Sequence, residues 1–171
     1  MTPETVQQYV DRILSFSEGR DALAVLASTA GRLSTLVEST PAGRWARKPA
    51  EGRWSAREVL AHLADAEVVA AWRMRSILAQ DGVPIQAFDQ NAWAAAFKYA
   101  DVDVSESLAT FTAVRGSLLS LLRRVDGTRR EHHGLHAERG RETVPHLLRL
   151  YAGHDLNHLT QIERLVLDHE N

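Results

Sequence analysis

Two histidines four residues apart, His154 and His158, are the residues of this sequence best spaced to do chemistry. On a helix they lie about 40° apart around the axis and one turn apart along it, so both imidazoles can reach one metal ion. They also interrupt an apolar stripe. Val144, Leu147, Tyr151, Ile162 and Leu165 recur in steps of three or four, and positions 154 and 158 fall on the same line. Imidazoles at core-facing positions need polar partners away from water. They are therefore hydrogen-bonded core residues or metal ligands, and the spacing alone leaves both open.

A third histidine sits on another inward stripe, formed by Val59, His62, Ala66, Val69 and Arg73. Periodicity points His62 inward but does not bring it to the pair. If it joined them, three neutral nitrogen ligands from two helices would leave coordination positions open. Such a set suits Zn, Ni, Fe or Cu rather than Ca or Mg. Arg73 returns to nearly the azimuth of His62. A buried arginine needs an anion or a carboxylate, so Arg73 either pairs with Asp65, Glu67 or Asp89 or orients an anionic substrate near the metal. Asp65, one turn from His62, could hold the tautomer of that histidine.

The zinc-protease motif is a poor fit. In His154-Asp155-Leu156-Asn157-His158 the catalytic glutamate is replaced by Asp155, and Gln161 and Arg164 stand where further motif residues belong. His169 lies too far along to be a third ligand. His132, His133 and His136 fall in a polar stretch read as a solvated loop, and His146 reads as a helix-start residue.

These residues must be positioned by helices. Thr2-Pro3 reads as a helix start, with an amphipathic segment to about residue 16 and a second helix over 19–38. Pro41, Gly43, Pro49 and Gly52 punctuate a connector whose Trp45 should pack back onto the body. Ser55 and Glu58 form a capping box flanked by Trp54 and Val59 as a staple, opening a helix to about residue 80. A short helix over 89–98 and a long one capped by Asp103 and ending near Gly127 follow. Residues 128–142 read as a loop, and Thr143 caps a last helix to about 168, whose first turn tolerates Pro145. Four long amphipathic helices predict a single all-α domain, a four-helix bundle.

The net charge of −2 argues against a nucleic-acid partner, which demands clustered positive charge. Arg123, Arg124, Arg129 and Arg130 read as a solvated helix end. The sequence has no cysteine, excluding disulfides and thiolate ligands, and no apolar run long enough for a membrane span. A cytoplasmic protein is the expectation.

The segments Trp54-Ser55-Ala56-Arg57-Glu58-Val59-Leu60-Ala61-His62-Leu63-Ala64-Asp65-Ala66-Glu67 and Tyr151-Ala152-Gly153-His154-Asp155-Leu156-Asn157-His158-Leu159-Thr160-Gln161 resemble the DinB-like family, also called YfiT-like metal-dependent hydrolases. The resemblance covers about residues 20–168. It joins His62 to His154 and His158 as metal ligands. It implies an up-down-down-up bundle with a long crossover between the second and third bundle helices, and frequent homodimers. It also implies small-molecule chemistry, with low-molecular-weight thiols as cofactors in some relatives. Three functions compete: a metal-dependent hydrolase or thiol-dependent transferase using zinc or nickel, a non-catalytic small-molecule binding module, and a structural metal site in a dimeric bundle.

Overall fold

A computed structural model describes residues 4–167. Seven α-helices lie among them: α1 (Val6–Phe16), α2 (Ala22–Ser39), α3 (Ala42–Trp45), α4 (Ala56–Ala79), α5 (Gln90–Ala96), α6 (Val104–Arg124) and α7 (Val144–Leu167). Helix starts follow side-chain chemistry. Asp21, Asp89 and Asp103 each accept the free N–H groups of a first turn, and Ser55 and Glu58 close the expected capping box. Thr2, Pro3, Asp168 and His169 lie outside the described residues. Helix α1 starts later than expected, on a capping box of Thr5 and Gln8.

Helices α2, α4, α6 and α7 form the bundle. One apolar cluster joins the end of α2 (Leu33, Leu36) to the starts of α4 (Val59, Leu60, Leu63) and α6 (Phe111) and the end of α7 (Leu159, Ile162). A second joins the ends of α4 (Met74, Ile77) and α6 (Leu118, Leu122) to the start of α7 (Val144, Leu147). So α4 and α6 run parallel to each other and antiparallel to α2 and α7, the up-down-down-up order. Trp45 is buried in the first cluster, as expected.

The polar stretch before α7 is more ordered than its composition suggests. Strands β2 (His133–His136) and β3 (Gly140–Thr143) pair antiparallel, and β1 (Val83–Ile85) from the crossover pairs parallel with β2. Gly134 is there because a side chain at its position would crowd Ile77 and Ile85. Arg129 and Arg130 are not simply solvated. They donate to main-chain carbonyls at the ends of α4 (Leu78) and α6 (Leu122), taking up acceptors those helices leave unpaired. No helix of the described residues is long and apolar enough to cross a membrane.

Helix α1 lies along α7 and contributes Val10 and Ile13 to the second cluster. The Ser17 hydroxyl donates to the Arg149 carbonyl at 3.0 Å, fixing the end of α1. The helices meet at Gly153, where an added Cβ would overlap the Ile13 main-chain oxygen, an atom that cannot rotate away. Gly153→Ala should therefore lose about 1–3 kcal/mol of unfolding free energy through overpacking. Gly31→Ala, on an open helix face, should gain about 0.5–1 kcal/mol. Denaturant unfolding of the two variants checks this, and an unchanged Gly153→Ala protein would refute the close approach.

Candidate metal centre

Between the two apolar clusters the bundle has a polar layer. Arg115 of α6, only 2% exposed, is its centre. Its guanidinium donates to both carboxylate oxygens of Glu67 on α4 (2.9 and 2.6 Å), to Asp155 on α7 (2.7 and 3.2 Å), and to the Leu26 carbonyl on α2 (2.8 Å). One side chain thus ties all four bundle helices. Burial raises the Glu67 pKa, with Arg115 opposing it and Asp155 adding to the rise.

The three histidines lie in the same layer. One ring nitrogen from each of His62, His154 and His158 falls within 4.8 Å of the others. The Nε2 atoms of His62 and His154 are 3.1 Å apart. At metal–nitrogen bonds of about 2.0–2.1 Å that separation corresponds to a ligand–metal–ligand angle of about 100°, which fits one ion. The Nδ1 of His158 pairs with Gln161 Oε1 at 2.9 Å. An amide oxygen can only accept, so Nδ1 carries the hydrogen and Nε2 is free to ligate. Burial lowers the pKa of all three, that of His62 to about 3, which keeps the imidazoles in the neutral form that ligates metals.

Asp65 does not hold the His62 tautomer. Three residues on, it points about 60° away around α4, and it accepts the Tyr99 hydroxyl at 2.6 Å instead. Among the described residues, His62 Nδ1 has no hydrogen-bond partner. His62 is flanked by the Trp54 ring at 5.3 Å, and Tyr99 makes an edge contact with Trp54 at 6.2 Å. Asp65 thus connects to the site through Tyr99, whose ring touches Trp54.

Two cavities open from the three histidines. The first, of about 330 Å³, is lined by His62, His154, Ala66, Tyr151, Phe88 and Arg73. The second, of about 700 Å³, is lined by His158, Gln161, Trp54, Arg53, Asn157 and Arg164. Arg73 makes none of the expected ion pairs. Glu67 belongs to Arg115, Asp65 to Tyr99, and Asp89 caps α5. Arg73 is buried, and its Nε and one terminal nitrogen donate to the Gln86 carbonyl.

Several contributors escaped the helical reading. The most buried positions of α7 include Leu147, Asp155, Leu159 and Ile162, so His154 and His158 stand at the border of the core stripe and face the cavities. Asp155 is an ion-pair partner rather than a substitute for a catalytic glutamate. The signal for Arg115 was in the sequence, since Phe111, Arg115, Leu118 and Leu122 share one helical stripe. His132, His133 and His136 do not assemble as a metal group: His132 faces the Ile77 carbonyl, and His133 pairs with Asp81. The main-chain N–H of His146 donates to Thr143 Oγ1, as befits a helix start.

The sequence pattern of the DinB superfamily matches residues 26–162. The chain belongs to the DinB superfamily. Two similar proteins carry the name "Putative metal-dependent hydrolase". One, OB0782 of Oceanobacillus iheyensis, is 30% identical over 67% of this chain and 66% of its own length, just under two thirds. The other, YfiT of Bacillus subtilis, is 25% identical over 94% of this chain and 91% of its own. The solved YfiT structure superposes with a TM-score of 0.73 at 23% identity, covering 96% of this chain and 92% of that one, and is described as having an unusual four-helix bundle topology. The superposition establishes the fold.

Buried neutral histidines make the metal-free protein sensitive to acid. An unfolded histidine binds a proton below about pH 6.5, whereas His62 resists to about pH 3. The unfolded state then holds more protons, so stability falls as pH drops from about 6.5 toward 3, by up to ~1.4 kcal/mol per pH unit per histidine. His62→Gln should make that slope shallower by about one proton. Denaturant unfolding across this range in chelator measures it, and an unchanged slope would contradict the burial of His62.

Proposed function

We propose that this chain is a metal-dependent enzyme acting on a small molecule, with His62, His154 and His158 holding a divalent transition metal, zinc or nickel. The observation that carries the reading is the meeting of three neutral, converging imidazoles with two cavities. A structural zinc site closes with four protein ligands, while a catalytic one keeps a position open. Among the described residues the group has three members. When bound, such an ion lowers the pKa of a coordinated water or thiol toward neutrality. The names of the relatives support metal dependence.

The chain's own residues have separable tasks. Gln161 fixes the tautomer of His158. Trp54 backs the ring of His62. Ala66, Val69, Leu150 and Phe88 line the smaller cavity with apolar surface, which limits water around a reacting group. Arg73 offers a charge to an anionic substituent.

The presence of two cavities favours thiol-dependent transfer over hydrolysis. Each reactant then has its own approach: an apolar substrate beside His62 and His154, and a polar low-molecular-weight thiol beside His158, where Arg53, Asn157 and Arg164 stand. We place the enzyme in the cytoplasm as a homodimer. The exposed apolar side chains Val68, Trp72 and Phe97 support a protein-covered face.

His158→Ala should abolish stoichiometric metal while leaving the helical circular dichroism intact, because His158 belongs to neither apolar cluster. Elemental analysis of the purified variant reads the outcome. Full metal occupancy would remove His158 from the site.

A further inference from the structure

We infer that the smaller cavity is two-ended: it binds a small carboxylic acid with an apolar body, its carboxylate held by Arg73 and Tyr151 and its other end turned toward His62 and His154. The metal reading above bears only on the second end.

One end of the cavity is set by charge. Arg73 is 5% exposed, and its hydrogen bonds go to a single neutral acceptor, the Gln86 carbonyl. A guanidinium has five N–H donors in a flat fork, so most remain to be satisfied. A buried charge without a counter-charge is costly, and an anion removes that cost. The other charged groups lining the cavity do not supply one. Arg139 donates from Nε and one terminal nitrogen to the two carboxylate oxygens of Glu142 at 2.5 and 3.0 Å, Glu4 is paired with Arg12 at 2.8 Å, and Glu138 is exposed.

Tyr151 supplies the second group. Its hydroxyl is buried, has no hydrogen-bond partner among the described residues, and belongs to a side chain that lines the same cavity. Arg73 and Tyr151 both line this cavity, and burial raises the pKa of the hydroxyl, which keeps it in the neutral, donating form. A neutral hydroxyl beside a guanidinium presents the donors that one carboxylate needs. A phosphate, with more charge and more oxygens, would be under-served by this pair and by the apolar walls of Ala66, Val69, Leu150 and Phe88.

The spacing sets the length. Arg73 lies eleven residues beyond His62, about 16 Å along α4. Its side chain leans back toward the N-terminus of the helix, closing the gap to the order of 10 Å. Tyr151, three residues before His154 on the antiparallel α7, lines the same cavity and lies toward the Arg73 end. Helix phase on both walls therefore separates a cationic end from a histidine end.

The test uses full-length protein loaded with cobalt and three probes in calorimetry: ω-mercaptohexanoate, its amide, and hexanoate. The acid should bind about tenfold or more tightly than the amide, as a charge-assisted contact requires. Arg73→Gln should erase that preference, and Tyr151→Phe should reduce it severalfold, both with unchanged cobalt content. Hexanoate should keep the sensitivity to both substitutions. Equal binding of acid and amide by the unsubstituted protein overturns the inference, as does a preference that survives both substitutions. The cobalt absorption spectrum reports the other end separately. A thiol-induced change without acid preference leaves the metal reading standing and this inference overturned. Acid preference without a spectral change supports the carboxylate end and counts against metal at His62 and His154. If Arg73→Gln fails to fold, Tyr151→Phe decides alone.

Discussion

The fold depends on a guanidinium that has no access to water. Arg115 holds Glu67, Asp155 and the Leu26 carbonyl at once, and each comes from a different bundle helix. Apolar contacts alone tolerate sliding of one helix past another. A fork with fixed donor directions does not, because a shift of one turn would strand charged groups in the core. Replacing the ion cluster wholesale with aliphatic side chains could be neutral for stability, whereas removing Arg115 alone leaves two buried carboxylates, a loss of about 3–5 kcal/mol. The cluster is best understood as setting register.

That register places the site. Asp155 lies between His154 and His158 in sequence, and Glu67 is five residues beyond His62. When Arg115 binds both carboxylates, the two histidine-bearing helices are brought level, and His62 Nε2 meets His154 Nε2 at 3.1 Å. The core residues and the candidate ligands thus occupy alternate sides of the same helical turns. The carboxylates face inward to Arg115, and the imidazoles face the cavities. Gly153 completes the arrangement by letting α1 lie against α7 next to His154, and α1 contributes Val6 and Tyr9 to the cavity wall.

Much of this was legible in the residues. Ser55 and Glu58, Asp103 and Thr143 mark helix starts because an oxygen that accepts a backbone N–H is a local property. The inward phase of His62 and the i,i+4 pair follow from helical pitch. Their meeting required either the family resemblance or the structure, because pitch carries no information across helices. The sheet was hidden for a related reason. In His133-Gly134-Leu135-His136 the buried positions are Gly134 and His136 while Leu135 is exposed, which inverts the apolar alternation expected of a strand, and the parallel partner β1 lies some fifty residues away. The Asp65–Tyr99 bond was unreadable because Tyr99 arrives from the crossover. Arg115 was readable as a charge on an apolar stripe, but its partners were not.

The proposed centre is one ion held by three histidines and open toward the cavities. Anomalous diffraction at the metal edge from crystals of the metal-loaded protein tests this most directly. A single peak about 2.0–2.2 Å from one nitrogen of each of His62, His154 and His158, with every remaining ligand non-protein and facing a cavity, is the predicted result. A peak elsewhere in the molecule, or a fourth protein ligand closing the coordination sphere, would contradict it.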